Sequence, residues 1–210
     1  MVQFSAKDIQ VLPITEAIRR APRRYVEDTT LRGLHQFVLT LAKAAIDPER
    51  TNECTDLVVT VHADESLSLS DDGCGQPVYF YPLTHPQPLI ESVMTSLYAG
   101  GSLEDVYRRF GYLFNLGPIV NALSEWLVLE TVTEGIKYKM TCERGNISQT
   151  LHAIDKSNDK GTYLHFKPDS TIWSETKFSA AILATGLNQL ETEYAEVTIS
   201  LVDERLVVSG

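Results

Sequence analysis

The chain has 210 residues, of which 43% are hydrophobic and 22% are charged, a composition typical of a single globular domain. Its net charge of −10 argues against direct nucleic-acid binding, because such binding needs basic patches that displace counterions from phosphates. Three widely spaced cysteines suit neither a disulfide framework nor a zinc site. The first residues contain no secretory signal and no apolar run could span a bilayer, so we expect a cytoplasmic protein without a membrane segment.

The front half of the chain predicts two helices followed by two strands. The first helix covers residues 15–20 and is ended by Pro22. Its end carries a basic cluster, which we interpret as solvated: Arg19, Arg20, Arg23 and Arg24. The second helix has apolar residues at steps of three and four: Leu34, Phe37, Val38, Leu41 and Ala45. Residues 57–62 are β-branched and residues 66–71 alternate, as strands do.

The back half predicts further helices and more strands. An ordered loop over 78–88 precedes a helix over 90–98, which Gly100 and Gly101 would end. Two more helices are expected, over 118–124 and 178–191, and a turn is expected at Glu134-Gly135. Strands are expected over 127–133, 136–142, 162–167 and 197–202. The pattern indicates an α+β fold, a mixed sheet with helices on one face.

Several phrases of the sequence resemble one known domain, in the same order and at nearly the same spacing. They include "IQVLPITEAIRRAPRRY", "DLVVTVHADESLSLSDDGCGQP", "VNALSEWL" and "KGTYLHFKPD". The chain is thereby similar to the N-terminal ATPase domain of the B subunits of DNA gyrase and topoisomerase IV, in the GHKL family. The resemblance implies a Bergerat-type two-layer sandwich, with residues 1–210 as one degenerate ATPase domain. It implies no transducer or DNA-cleavage domain in this polypeptide.

The residues that recognise adenine in this family are retained. The segment "DDGCGQP" matches the family's "D-x-G-x-G-x-P", which makes Asp71 the acceptor of the adenine amino group. Gly73 and Gly75 allow the backbone to pass close to the base. Thr162 matches the threonine at the adenine edge, and Lys139 stands where an arginine lines the outer pocket. Without the resemblance, Asp71 and the two glycines also suit a plain turn at a strand end.

The residues that hydrolyse ATP in this family are replaced. The family's "E-x-x-D-N-x-x-D" reads "T-L-A-K-A-A-I-D" here. Thr40 stands at the position of the general base, and threonine cannot act as a carboxylate base near neutral pH. Ala44 stands at the magnesium ligand and offers no oxygen to a hard cation. Only Asp47 survives, so neither a catalytic residue nor a metal ligand is expected.

The phosphate-binding loop of the family is altered as well. Its "GGLHGVG" reads "GYLFNLG" at residues 111–117, with bulky side chains where close backbone approach needs small ones. We interpret Tyr112 and Phe114 as core residues whose side chains fill the vacated phosphate space. The nucleotide pocket is then either open or filled by these two side chains.

The resemblance and the replacements together favour a pseudo-ATPase, a scaffold or regulatory module that binds a protein partner. The partner would be a gyrase-like protein or a second copy of this chain. The pseudo-ATPase hypothesis expects no cofactor. A second hypothesis is a protein that binds an adenine nucleotide without magnesium and does not hydrolyse it. A third is a divergent ATP-hydrolysing topoisomerase fragment, with a base relocated to Asp47 or Glu49.

Overall fold

The computed structural model describes residues 12–48, 53–78, 88–97 and 111–206. The described helices are α1 (Ile14–Arg20), α2 (Leu31–Ile46), α3 (Leu89–Thr95), α4 (Gly117–Leu123) and α5 (Ala180–Glu193). The described strands are β1 (Asp56–Val61), β2 (Leu67–Asp71), β3 (Ser124–Thr133), β4 (Ile136–Glu143), β5 (Asn146–Lys156), β6 (Thr162–Pro168) and β7 (Thr198–Asp203). Short 3₁₀ helices cover Pro22–Arg24 and Glu204–Leu206.

The seven strands form one mixed sheet in the order β5-β4-β3-β6-β2-β1-β7. All neighbouring strands are antiparallel except β1 and β7, which run parallel. Strand residues alternate between the two faces, so one face of β3 and β6 is apolar and buried. That face packs against the helices through residues such as Leu129, Leu164 and Phe166. The expected mixed sheet and α+β class are confirmed.

Helix α2 lies on the buried face of the sheet, and the apolar residues whose spacing predicted it face the core. Leu34, Val38, Leu41 and Ala45 are fully buried and belong to the main core. Gly186 of α5 lets the two helices approach closely, because a Cβ there would meet the side chain of Leu39. Helix α2 thereby packs on the sheet beside α5, with Gln36, Thr40 and Lys43 exposed.

A partly buried ion pair fixes α1 to the rest of the domain. Nη2 of Arg19 lies 2.7 Å from Oδ2 of Asp169, whose side chain is only 1% exposed, and Nη1 donates to the carbonyl of Ala122 at 2.7 Å. Burial by itself would raise the pKa of Asp169, but hydrogen bonds from Thr171 and the Arg19 charge outweigh it and lower the pKa to about 2. One arginine of the basic cluster is therefore structural.

The strand β5 was not predicted, because its side chains lack a regular buried face. It forms one edge of the sheet and pairs with β4 through three register irregularities. The carboxylate of buried Glu91, on α3, accepts a hydrogen bond from the backbone N–H of Leu151 at 2.7 Å. Helix α3 ends at Thr95, earlier than predicted, and most of the predicted 78–88 loop and the expected glycine cap at 100–101 lie outside the described residues.

Within the described ranges, no helix has the length and apolar character needed to cross a bilayer.

Candidate functional site

Asp71 lies at the end of β2 with its carboxylate turned into the helix side of the sheet. Its side chain is buried, at 6% relative exposure. Oδ1 accepts hydrogen bonds from the backbone N–H groups of Gly73, at 3.0 Å, and Thr162, at 3.2 Å. The sequence-predicted residues Asp71, Gly73 and Thr162 are thus brought together by direct contacts.

The second oxygen of Asp71 makes this carboxylate unusual. Oδ2 is buried and has no hydrogen-bond partner among the described residues. Burial raises the pKa of Asp71 to about 7, against the opposing effect of the hydrogen bonds from Gly73 and Thr162. Cys54 lies nearby, and burial together with the Asp71 charge raises the pKa of its thiol to about 12. A carboxyl in this state can accept or donate a hydrogen bond near neutral pH.

The glycines around Asp71 permit close backbone contacts. Gly75 has φ +76°, and a Cβ there would collide with the carbonyl oxygen of Val132. Gly161 has φ +95°, and a Cβ there would overlap the carbonyl of Asp71 itself. Such positions require glycine, because other residues rarely adopt positive φ and have no room here. Gly161 was not singled out in the sequence, although it directly precedes Thr162.

Gln76 is a further buried member of the site that the sequence did not reveal. Its side-chain amide donates to the hydroxyl of Thr162 at 3.3 Å, and its backbone N–H donates to the Thr131 hydroxyl at 2.6 Å. Its Oε1 is buried without a partner among the described residues. The polar residue between Gly75 and Pro77 was the only sequence signal for this contact. The threonine predicted to read the adenine edge therefore already has an intramolecular partner.

Tyr112 is completely enclosed and lies beside the same residues. Its side chain is 2% exposed, and burial followed by the Asp71 charge raises its pKa well above 10, so the phenol is neutral. The hydroxyl lies close enough to Asp71 to lower the pKa of this carboxyl. The side chain of Thr162 in turn lowers the pKa of Tyr112, against the larger effect of burial. Neither the hydroxyl nor Oδ2 of Asp71 has a hydrogen-bond partner among the described residues.

The position of Tyr112 confirms that it is a core residue, because its side chain is buried. It lies beside Asp71 and Thr162, the residues that the sequence predicts for adenine recognition. The reason is local, because Gly111 has φ +68° and lies against the amide of Gln76 and the ring of Pro77. The residue that follows is thereby directed into the site. Phe114 is buried too.

The residues of α2 that match the family's catalytic positions face a different space. Thr40, Ala44 and Asp47 line a groove of about 320 Å³ between α2 and α5, together with Lys43 and Glu193, which form a 2.7 Å ion pair. The Thr40 hydroxyl donates to the carbonyl of Gln36 on its own helix at 2.8 Å.

Magnesium, which the family implies, does not fit these residues. The side chain of Ala44 has no ligand atom, and the Thr40 side-chain oxygen is a neutral hydroxyl already bonded to its own helix. Within the described ranges, no group of three His, Cys, Asp or Glu side chains could hold a metal ion.

Lys139 is not brought together with the adenine-side residues. Thr131 pairs with Thr162 across β3 and β6, and both are buried on the helix side. The next residue along β3, Glu130, points to the other face and pairs with Lys139. Nζ of Lys139 lies 3.1 Å from this carboxylate, which also binds Lys137 at 2.7 Å. The structure thus gives Lys139 a role in an ion-pair cluster on the open face.

The chain is similar to the B subunits of type II topoisomerases along nearly its whole length, although no family model matches it. It is 35% identical over 206 residues to the B subunit of the type 2 topoisomerase of Aquifex aeolicus, covering 97% of this chain and 26% of that protein. It is 36% identical to the B subunit of DNA gyrase from Clostridium acetobutylicum, covering 96% of this chain and 32% of that protein. With the B subunit of DNA topoisomerase 4 from Bacillus subtilis it shares 36% identity, over 96% of this chain and 31% of that protein.

A solved structure gives the same answer for the fold. The 43K ATPase domain of Thermus thermophilus gyrase B, in complex with an aminocoumarin, superposes with a TM-score of 0.79 at 26% identity. The match covers 92% of this chain and 50% of that one. The chain therefore spans about a third or less of these full-length relatives, is related to the B subunits of DNA gyrase and topoisomerase IV, and has the fold of their GHKL ATPase domain.

Proposed function

We propose that this domain does not hydrolyse ATP and acts by binding a protein partner. The observation that carries the proposal is the pair of replacements on α2. The Thr40 hydroxyl donates its proton to the carbonyl of Gln36, while Ala44 presents a methyl group where the family ligates magnesium. Phosphoryl transfer needs a group that orients or activates water and a cation that neutralises the phosphates. Loss of the base alone costs ~10²–10⁴ in rate, and loss of the metal adds to it.

The partner we propose is a protein of the gyrase type or a second copy of this chain. The relatives are named as subunits, which supports association with other chains. The net charge of −10 argues against nucleic acid as the direct partner.

The absence of hydrolysis is tested by phosphate release from ATP, with and without magnesium. The expected rate equals the background, and Thr40→Ala and Asp47→Ala leave it there. A magnesium-dependent rate that disappears in Asp47→Ala would instead support the enzyme with a relocated base. A gyrase B fragment of the 43K type, measured in parallel, shows that the assay detects turnover.

The partner role is tested by adding the protein to a supercoiling reaction run by a DNA gyrase. We expect the extent of supercoiling to change as this protein is titrated in. The same protein after heat denaturation serves as the control. Unchanged supercoiling at large molar excess, together with a strictly monomeric mass in solution, would contradict this part of the proposal.

A second candidate function is adenine-nucleotide binding without hydrolysis. It is favoured by the direct contacts of Asp71 with Gly73 and Thr162, which bring the predicted adenine-side residues together. Calorimetry with ADP and adenosine in the absence of magnesium measures it, with Asp71→Asn as the control. We place it second, because Tyr112 and Gln76 already lie against the two recognition side chains.

A further inference from the structure

The buried polar atoms without partners are concentrated at one place. Five such side-chain atoms occur in the part of the chain that the structure describes, and three of them belong to the cluster around Asp71. These three are Oδ2 of Asp71, Oε1 of Gln76 and the hydroxyl of Tyr112. Buried polar groups are normally hydrogen-bonded, so such a concentration indicates a site built for something other than stability.

The three atoms are parts of one connected ring of contacts. Asp71 binds the backbone of Thr162, the Thr162 hydroxyl accepts from Gln76, and Gln76 lies against Gly111. Gly111 in turn precedes Tyr112, whose hydroxyl lies beside Asp71. The carboxylate and the threonine that the family uses for adenine therefore face side chains of the same molecule.

Tyr112 has the chemistry to replace a base at this position. Its side chain is flat and aromatic, and its neutral hydroxyl can donate toward a carboxylate, as an exocyclic amino group does. The turn that carries it is held by hydrogen bonds from Phe114 N to Gly111 O, at 3.2 Å, and from Gly117 N to Leu113 O, at 2.6 Å. The ring is thus presented by an ordered turn that leads into α4.

We propose that Tyr112 acts as an internal ligand of this pocket, so that it excludes adenine compounds until its ring is removed. The phenol lies beside the carboxylate that an adenine amino group would bind, so the intramolecular ring competes with such a ligand at a high effective concentration. Shortening Tyr112 to alanine should create an enclosed cavity with Asp71 at its wall. Cavities of this kind accept small aromatic molecules.

The test compares four proteins by calorimetry with adenosine and by thermal shift with p-cresol. They are the wild type, Tyr112→Phe, Tyr112→Ala and the double variant Tyr112→Ala/Asp71→Asn. We expect Tyr112→Ala to bind adenosine at least ~10-fold more tightly than the wild type and to gain several degrees in Tm with p-cresol. Tyr112→Phe keeps the ring and should behave as the wild type. The double variant should keep the p-cresol response and lose the adenosine response, because only adenosine uses the carboxylate.

Two results would overturn the inference. One is a wild type that binds adenosine as tightly as Tyr112→Ala. The other is a folded Tyr112→Ala, by circular dichroism, that does not bind adenosine, whether or not it responds to p-cresol. If that variant does not fold, Tyr112→Leu replaces it, since leucine keeps apolar volume but not the flat ring, and the same two results apply.

The inference rests on the proposed function for its view of the pocket, but the two fail separately. ATP turnover by the wild type would end the proposed function. Adenosine binding by the wild type without turnover would end only the inference and favour the nucleotide binder.

Discussion

Arg19 and Asp169, 150 residues apart in sequence, form a 2.7 Å ion pair that joins α1 to the end of β6. Asp169→Asn should lower the free energy of unfolding by about 3 kcal/mol, because it leaves Arg19 without its charged partner and also removes the 3.2 Å ion pair with Arg144. Urea unfolding measures the loss. The control is Glu53→Gln, whose 3.3 Å pair with Lys160 is exposed and should matter by less than about 1 kcal/mol. Equal effects in both variants would contradict the assignment.

The same carboxylate predicts a loss of stability in acid. The pKa of Asp169 is lowered to about 2 in the folded protein from an ordinary 3.8. A lowered pKa stabilises the fold above pH 4, and this contribution, about 2 kcal/mol, is lost as the pH falls through 2. Unfolding curves between pH 2 and 5 should show the decline in the wild type. Asp169→Asn should lack this component, and an unchanged slope in that variant would count against it.

Asp71 predicts the opposite trend at higher pH. Its pKa is raised to about 7, so the fold is favoured when the carboxyl is protonated. That contribution is complete below pH 4 and is lost as the pH rises toward 7. Asp71→Asn can keep the bonds from Gly73 and Thr162 through its amide oxygen. It should therefore be more stable than the wild type at pH 8, by on the order of 2 kcal/mol, and similar to it at pH 4. The Tm of both proteins, measured from pH 4 to pH 8, tests this prediction, and an equal difference in Tm at both ends of the range would contradict it.

Gly161 should tolerate no side chain. In Gly161→Ala the added Cβ would overlap the carbonyl of Asp71 at a positive φ, so we expect a loss above about 3 kcal/mol or failure to fold. Gly135→Ala is the control, because it has a similar φ of +74° but only Ser157 O nearby, at 3.8 Å. It should cost about 1 kcal/mol. Soluble yield and Tm of the two variants give the comparison, and near-equal values would refute the steric argument.

Most of the fold was predictable because its buried strands and helices carry strong periodic patterns. The apolar stripe of α2 placed that helix against the core, and the alternation in β2 indicated its strand. The strand β5 was missed because most of its side chains are exposed, so no pattern separates it from a loop. A strand of this kind is defined by hydrogen bonds to its neighbour, and the chain itself does not show them.

The adenine-side contacts were predictable only in part. Asp71, Gly73 and Thr162 were identified through their motifs, and the structure brings them together. Lys139 was placed by alignment, but strand register directs it to the opposite face, where Glu130 binds it. The contacts of Tyr112 and Gln76 depend on how the turn after Gly111 enters the core. No local pattern encodes such long-range packing.

Glu91 binds a backbone N–H of the edge strand β5, which is then not available to another chain. It accepts from Leu151, at a point where the pairing of β5 with β4 is irregular. A strand that needed this donor in order to pair here would first require the glutamate to release it, which disfavours strand-by-strand aggregation.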